Sequence, residues 1–537
     1  PAVDEVHLVP SYGPGPSTVV AADQGAPEAS SLWEGPYART VVPVTFQLPE
    51  DLAPGLYDIV IPNVDKARRA LAVYEAWPET PRIVLVADTQ TGDPRALSDG
   101  FHGMTGIHPL APHESHPEDL VLPPDPEPMN EALADTYGVD LYRMDIDPSK
   151  RWSAYRAAIE QINALAPDLV LFSGDLNFAQ MVPGSYHVEY EESWALINGG
   201  EGVDGTPYEG FHAPTLLSPG NHDGYAANGE DGLAFWMAYF GPPAFRTTFS
   251  NITFVSINTY DWSELDRLGA SYAVSAWGGQ VRGEQMTWLR QALCEANGGE
   301  VHTDPPAPFG MTCLGQEDRR VITFAHHSPS WVQDDYRTGY GGVCAQAPCQ
   351  GTPGVEQVTR GAISYTTTDQ GWSGENRLEL RDTLREFAVD LHAAGHTHRD
   401  RIARDLGEGT ILEVPQEHRE GLDVQALHLV TEDGQVSVPD QTWAFERMRD
   451  APGPLYVETT TTASDTTSYF GYRPVTWHTS EQAFPDGALG IPPFEMGYPM
   501  TRELLDEIAN DPDRWNPDHA ELGLFSTPTF LPGPEGH

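Results

Sequence analysis

Short apolar runs that stop abruptly in polar turns recur along this chain, and they predict its elements. Residues 82–87 form an unbroken apolar strand of the kind buried on both faces, and it ends in Asp88-Thr89-Gln90. Apolar positions at helical spacing over 152–165 predict an amphipathic helix. A strand at 168–172 follows and runs out at Ser173-Gly-Asp175-Leu-Asn177-Phe178. The run at 215–217 stops in Ser218-Pro-Gly-Asn221-His222-Asp223-Gly-Tyr225. Next come a strand at 249–258, a helix at 283–296 and a strand at 320–325 that ends in His326-His327-Ser328-Pro329. A helix at 379–388 precedes a strand at 390–394 ending in Gly395-His396-Thr397-His398, and further strands are expected at 410–414, 426–430 and 455–459. Helices alternating with short apolar strands predict an α/β core whose sheets are covered by helices.

The flanks read differently. Residues 1–80 form a separate module in which strands at 38–48, 55–61 and 69–77 predict a small β-sandwich with nothing catalytic in it. Within the core, 81–480, the stretches 91–148 and 182–214 lose their periodicity and read as irregular surface insertions. The first of them carries His102, His108, His113 and His116, read as solvated. Residues 481–537 read as a Pro-rich acidic extension wrapping the surface.

Composition narrows the choice of partners. With 30 Lys+Arg against 79 Asp+Glu in 537 residues, the formal net charge is -49, and Lys66 and Lys150 are the only lysines. Such a surface repels nucleic acid polymers and anionic membranes, and it suits a salty medium where screening relieves self-repulsion. No run is long enough to span a bilayer as a helix. Four cysteines in two local pairs, Cys294 with Cys313 and Cys344 with Cys349, read as two small-loop disulfides and therefore as a protein exported to the periplasm or beyond the cell.

Ligands of open sheets sit beyond the strand ends, so the five polar clusters are expected to share one crevice. Their donors are Asp88, Gln90, Asp175, Asn221, His326, His396 and His398. This mixture of carboxylate, imidazole and amide oxygen suits borderline divalent metals. Seven donors exceed the needs of one ion and fit two ions about 3.5 to 4 Å apart. His222 offers a proton near neutral pH, and Asp223 an acceptor to orient its neighbour.

The ordered set Asp-x-Gln, Gly-Asp, Gly-Asn-His-Asp, His-His and Gly-His-Thr-His resembles the calcineurin-like metallophosphoesterase superfamily, from Arg82 to about Arg399. The resemblance implies a four-layer αββα sandwich and two divalent ions (Mn, Zn, Fe, Mg or Ca). Asp88 and His398 would hold the first ion, Asp175 would bridge, and Asn221, one histidine of the His326-His327 pair (His326, which directly ends the strand, with His327 then behind it on the substrate side) and His396 would hold the second. Apart from the resemblance, Arg399 reads either as a substrate phosphate contact or as an ion-pair partner of Asp400. Gln90 departs from the pattern, because most of the family has histidine there. Purple acid phosphatases place a tyrosinate three residues after the bridging aspartate, and here that residue is Phe178. A neutral amide in the first site implies looser binding and more tolerance of Mg²⁺, Mn²⁺ or Ca²⁺.

The implied activity is hydrolysis of a small phosphomonoester or phosphodiester by a metal-activated hydroxide, with His222 protonating the leaving oxygen or stabilising its charge, and Asp223 or a nearby carboxylate fixing its tautomer. Trp331, Tyr336 and Tyr340 are candidates to stack on an aromatic substrate group. Two other readings stay open: a purple acid phosphatase-like phosphomonoesterase, and a non-catalytic binding or surface protein that keeps the scaffold with a degraded first site.

Overall fold

The structure, a computed structural model, describes residues 3–12, 15–92, 152–178, 186–203, 205–227, 230–267, 278–303, 311–315, 319–330, 355–360, 363–368, 372, 374–398, 401–407, 410–415, 427–431, 434–438, 451–462, 471–477, 494–496 and 500–501. Five strands, β1 (Glu5–Pro10), β2 (Thr18–Gln24), β3 (Val44–Phe46), β4 (Gly55–Ile61) and β5 (Asp65–Val73), build an antiparallel sheet in the order β3-β2-β1-β4-β5. Alternate residues Val6, Leu8, Val20 and Ala22 bury one face of it together with Tyr57. Two of these strands, β1 and β2, lie ahead of the first strand expected from the sequence, at 38–48.

The core elements follow in chain order as β6 (Arg82–Val86), α1 (Ser153–Leu165), β7 (Leu169–Ser173), α2 (Tyr186–Asn198), β8 (Thr215–Ser218), β9 (Phe245–Phe249), β10 (Ile252–Ser256), α3 (Gly283–Ala296) and β11 (Arg320–Phe324). Then come α4 (Arg377–Glu386), β12 (Leu391–Ala394), β13 (Arg401–Gly407), β14 (Thr410–Pro415), β15 (Leu427–Thr431), β16 (Gly434–Val438), β17 (Leu455–Glu458), β18 (Gly471–Trp477), β19 (Phe494–Met496) and β20 (Met500–Thr501).

They form two sheets. The first runs β8-β7-β6-β18-β19, with β20 also on β18; β6, β7 and β8 are parallel. The second runs β9-β10-β11-β12-β17-β13-β14-β15-β16, with β10, β11, β12 and β17 parallel.

Period-two alternation packs the two sheets face to face. Ile252, Phe254, Ile322, Phe324, Leu455 and Val457 of the second sheet join Ile83 to Val86 and Leu169 to Phe172 of the first in one core. Their neighbours Val255, Val321 and Tyr456 point to the other side, where Met286, Leu289 and Leu293 of α3 and Leu380 and Leu384 of α4 cover them. On the outer face of the first sheet, Tyr155, Ile159 and Ile162 of α1 do the same. The result is helix, sheet, sheet, helix, the expected four layers.

Three stretches differ from the sequence expectation. The strand placed at 249–258 is β10, but it begins later, because Ser250, with φ 55°, turns the chain from β9 into a hairpin. The stretch at 182–214 holds α2. Its acidity misled, since Glu192 is fully buried and accepts hydrogen bonds from Trp152 Nε1 (2.9 Å), the Val203 amide (2.8 Å) and the Tyr208 hydroxyl. Past 480, β19 and β20 extend the first sheet rather than lying apart from it. The insertion at 91–148 lies outside the described residues except for 91 and 92.

The N-terminal sheet is fastened to the core through backbone carbonyls. Tyr12 donates to the Phe211 carbonyl (2.7 Å), and Arg69 donates to the carbonyls of Ile197 (3.2 Å), Glu209 and Phe211.

Candidate metal centre

Every donor expected from the sequence leaves the carboxyl end of a parallel strand: Asp88 after β6, Asp175 after β7, Asn221 after β8, His326 after β11, and His396 and His398 after β12. Asp88, Gln90, Asp175, His396 and His398 all have φ between 42° and 73°, the left-handed region that costs about 1–2 kcal/mol for a residue with a Cβ. Such turns fold each side chain back over the strand ends. Glycines make room: a Cβ on Gly220 would lie 2.0 Å from Asp175 Oδ1, and one on Gly395 2.5 Å from Asp88 Oδ2.

The donors meet. His326 Nε2 lies 3.2 Å from Asp175 Oδ2, 3.1 Å from Asn221 Oδ1, 3.2 Å from His396 Nδ1 and 3.9 Å from Asp88 Oδ1. His396 Nδ1 is 3.1 Å from Asn221 Oδ1, and His398 Nε2 is 3.3 Å from Asp88 Oδ1. Asp88, Asp175, Asn221 and His326 are buried.

Neighbours aim these atoms. The His326 Nδ1–H donates to the Ser173 carbonyl (2.7 Å), which leaves the Nε2 lone pair facing the cluster. Asn221 donates from Nδ2 to the Tyr225 hydroxyl (2.6 Å), turning its oxygen inward. Tyr225 and Thr259 were not singled out from the sequence, although each follows a strand end by a few residues. Thr259 Oγ1 accepts the His327 amide (2.9 Å) and meets His327 Nδ1 at 3.0 Å. His327 stands beside the cluster, its ring centroid 4.3 Å from that of His396.

The arrangement fits divalent ions. Bonds of about 2.0–2.2 Å set adjacent ligand atoms roughly 3.0–3.6 Å apart, which is the spacing of most pairs above. Among the described residues, the ion-pair partners of Asp88 and Asp175 are imidazoles, with no Lys or Arg to neutralise them. Burial opposes charge on His326, yet Asp175 and Asp88 outweigh it and push the ring up to about 9. Burial likewise opposes charge on Asp175, but His326 and His222 hold its carboxyl well below the usual range. A proton on His326 is thus doing, without metal, what a cation does better.

Asp223 and Gln90 stand differently from what the sequence suggests. Asp223 does not orient His222. Its carboxylate is buried under the turn, accepting from the amides of Gly220 (2.9 Å), Leu176 (3.2 Å) and Asn177 (3.0 Å) and from Asn177 Nδ2 (3.0 Å). Residues 221–224 form a single helical turn, and an acid at its third position folds back to cap it. Burial, then the charge of Asp175, pushes the Asp223 carboxyl up to about 7. His222 is held instead by its Nδ1 contact to the Phe178 carbonyl (2.6 Å) and by stacking on the Phe178 ring, with Nε2 3.8 Å from Asp175 Oδ2.

Gln90 points into the cluster, its Nε2 3.5 Å from Asp175 Oδ2 and 3.4 Å from His398 Nε2. As placed it offers a donor, not a ligating oxygen. Arg399, Trp331, Tyr336, Tyr340, Cys344 and Cys349 lie outside the described residues, whereas the Cys294–Cys313 disulfide is formed.

A family model described as calcineurin-like phosphoesterase matches residues 81–400, more than half of the chain. The chain belongs to the calcineurin-like phosphoesterase family. Within its cluster, Asp88, Asp175 and His326, and likewise His326, His327 and His396, bring their ligand atoms close enough together to hold a metal ion. No curated protein matches it by sequence.

Among solved structures, a purple acid phosphatase from yellow lupin (Lupinus luteus) seeds is 12% identical with a TM-score of 0.37, covering 89% of this chain and 65% of its own. The calcineurin-like chain therefore spans less than two thirds of the lupin protein. PhoD is 10% identical with a TM-score of 0.35, over 88% of this chain and 77% of that one. A dimetal phosphatase from Danio rerio is 12% identical with a TM-score of 0.32, over 74% and 95%. At these scores the likenesses add nothing to the assignment, which rests on the family match.

Proposed function

We propose that the protein hydrolyses small phosphomonoesters or phosphodiesters with two divalent cations. Asp88, His398 and Asp175 would hold one, and Asp175, Asn221, His326 and His396 the other. The observation that carries this reading is the convergence of donors from five strand ends, with Asp88, Asp175, Asn221 and His396 around His326 Nε2 and His398 against Asp88, at the spacings given above. When bound, the cations supply a nucleophile at neutral pH and neutralise charge on the phosphoryl oxygens. Gln90 steadies the Asp175 carboxylate as a donor beside the first ion.

His222 is the residue proposed to hand a proton to the leaving oxygen. Its Nδ1–H is spent on the Phe178 carbonyl, so Nε2 is the atom that faces the cluster and carries the transferable proton. The Phe178 side chain has no phenol oxygen and is occupied with the His222 ring, which speaks against the coloured iron–tyrosinate centre of a purple acid phosphatase. A net charge of -49 disfavours long polyanions and leaves small esters. The formed Cys294–Cys313 disulfide supports export to an oxidising compartment.

The test is elemental analysis of the purified protein together with turnover of aryl phosphate mono- and diesters in Mn²⁺, Zn²⁺ and Mg²⁺. Two ions per chain with metal-dependent turnover is the expected result. A fully loaded, colourless protein inert across the panel would favour the binding-protein reading instead.

A further inference from the structure

Among the parallel strands of the second sheet, β17 ends without a metal donor. It ends in four consecutive threonines, Thr459 to Thr462, every one of them buried. Buried hydroxyls in such a row need partners, and those of Thr460, Thr461 and Thr462 find them in the backbones of the ligand turns. Thr461 Oγ1 donates to the Asp88 carbonyl at 2.6 Å, and Thr460 Oγ1 to the His398 carbonyl at 3.0 Å. The Thr462 amide donates to the Ala87 carbonyl (2.8 Å), and the Ala87 amide donates to Thr462 Oγ1 (3.3 Å). The Thr459 amide donates to Ala394 just before the His396 turn (3.0 Å). One residue upstream, Glu458 accepts from Thr397 Oγ1 (3.1 Å) and from Arg401 Nη1 (2.8 Å).

Asp88 belongs to the first sheet and His398 to the second. Their side chains approach to 3.3 Å although 310 residues separate them in the chain, and both adopt left-handed backbone that the local sequence does not favour. The threonine run touches both turns at once. We propose that Thr460 and Thr461 are positioning residues that set the separation of Asp88 and His398, and thereby decide whether the site beside Gln90 holds its ion. Where Gln90 supplies no imidazole, the geometry of the remaining donors carries more of the affinity. Of the second-site donors, His326 and Asn221 are anchored elsewhere, through Ser173 and Tyr225. His396 shares the His398 turn and its amide donates to Asp88 (3.0 Å), yet the hydroxyls of Thr460 and Thr461 reach only the carbonyls of Asp88 and His398, both of the first site, so that site is expected to respond more.

This inference rests on the two-ion reading. The experiment is Mn²⁺ titration by calorimetry, with elemental analysis, on the full-length protein and on Thr461→Val, Thr460→Val and Thr461→Ser. Valine keeps the shape and removes the hydroxyl, whereas serine keeps the hydroxyl. Loss of such supporting contacts costs about 10- to 100-fold in metal affinity. The valine variants are expected to lose that much at one site while the other stays within about twofold, and Thr461→Ser is expected to bind like wild type. Val457→Ala, a cavity in the same strand that touches neither turn, controls for lost stability through its thermal midpoint. A wild type that binds fewer than two ions overturns the two-ion reading itself. If wild type binds two and the valine variants either bind both unchanged or weaken both sites in step with Val457→Ala, the clamp alone is overturned.

Discussion

With metal removed, the cluster should reveal itself through the alkaline stability of the protein. In that state His326 carries the positive charge between Asp88 and Asp175, and its proton is held up to about 9 against an ordinary 6.5. At roughly 1.4 kcal/mol per pH unit, the rise amounts to about 3 kcal/mol. The depression of Asp175 is the same attraction seen from its partner and is not added to it. Because the folded value is raised, this stabilisation is fully present below about 6.5 and is lost as pH climbs through about 9. Asp223, raised to about 7, finishes titrating near the bottom of the window from pH 7.5 to 9.5, and the buried tyrosines, all raised by burial, add a loss near its top, so the part of the loss that His326→Gln removes is the histidine's own. Urea unfolding in excess chelator should show wild type losing about 2 kcal/mol more than His326→Gln across that window. The Mn²⁺-loaded protein should lose little, since the ring nitrogen is then engaged by the cation and has no proton to give up. His326→Gln in chelator should flatten the dependence. Equal stability of chelated wild type at pH 7.5 and 9.5, or an unchanged slope in His326→Gln, would refute the reasoning.

Two further outcomes bear on the chemistry. Gln90→His should add an imidazole to the first site, tightening Zn²⁺ relative to Mg²⁺ in competition titrations; an unchanged preference would mean that position 90 lies outside the coordination sphere. His222→Ala should spare turnover of an activated aryl ester while lowering that of an alkyl ester by about 10²- to 10⁴-fold, and equal losses on both would argue against proton transfer to the leaving group.

Much of the site was legible because a buried strand has to end, and a polar residue directly after an apolar run is placed with the precision of the strand itself. Asp88, Asp175, His326 and His396 all announced themselves in this way. The fold class followed from the same runs. Less visible was anything whose partner is a backbone atom. Asp223 sits beside His222 in sequence, yet its carboxylate answers to the amides of Gly220, Leu176 and Asn177, and no side-chain pattern marks that. The threonines after β17 were missed for the same reason, since they offer nothing to an ion and act through the carbonyls of Asp88 and His398. Strands β1 and β2 escaped because their alternation spans few residues and is flanked by Pro and Gly. Helix α2 was hidden by its glutamates, whose burial depends on Trp152 and Tyr208 far outside the local window.

The division of donors between the two sheets has its own consequence. Asp88, Asp175 and Asn221, the oxygen ligands, all descend from the first sheet, while the imidazoles of His326, His396 and His398 all descend from the second. Neither half alone offers an ion more than a few weak contacts, so tight capture has to wait until the halves have docked in register. Ions held there would behave as rivets through the seam, and how firmly they were gripped would be a direct gauge of how well the two halves of the molecule are aligned.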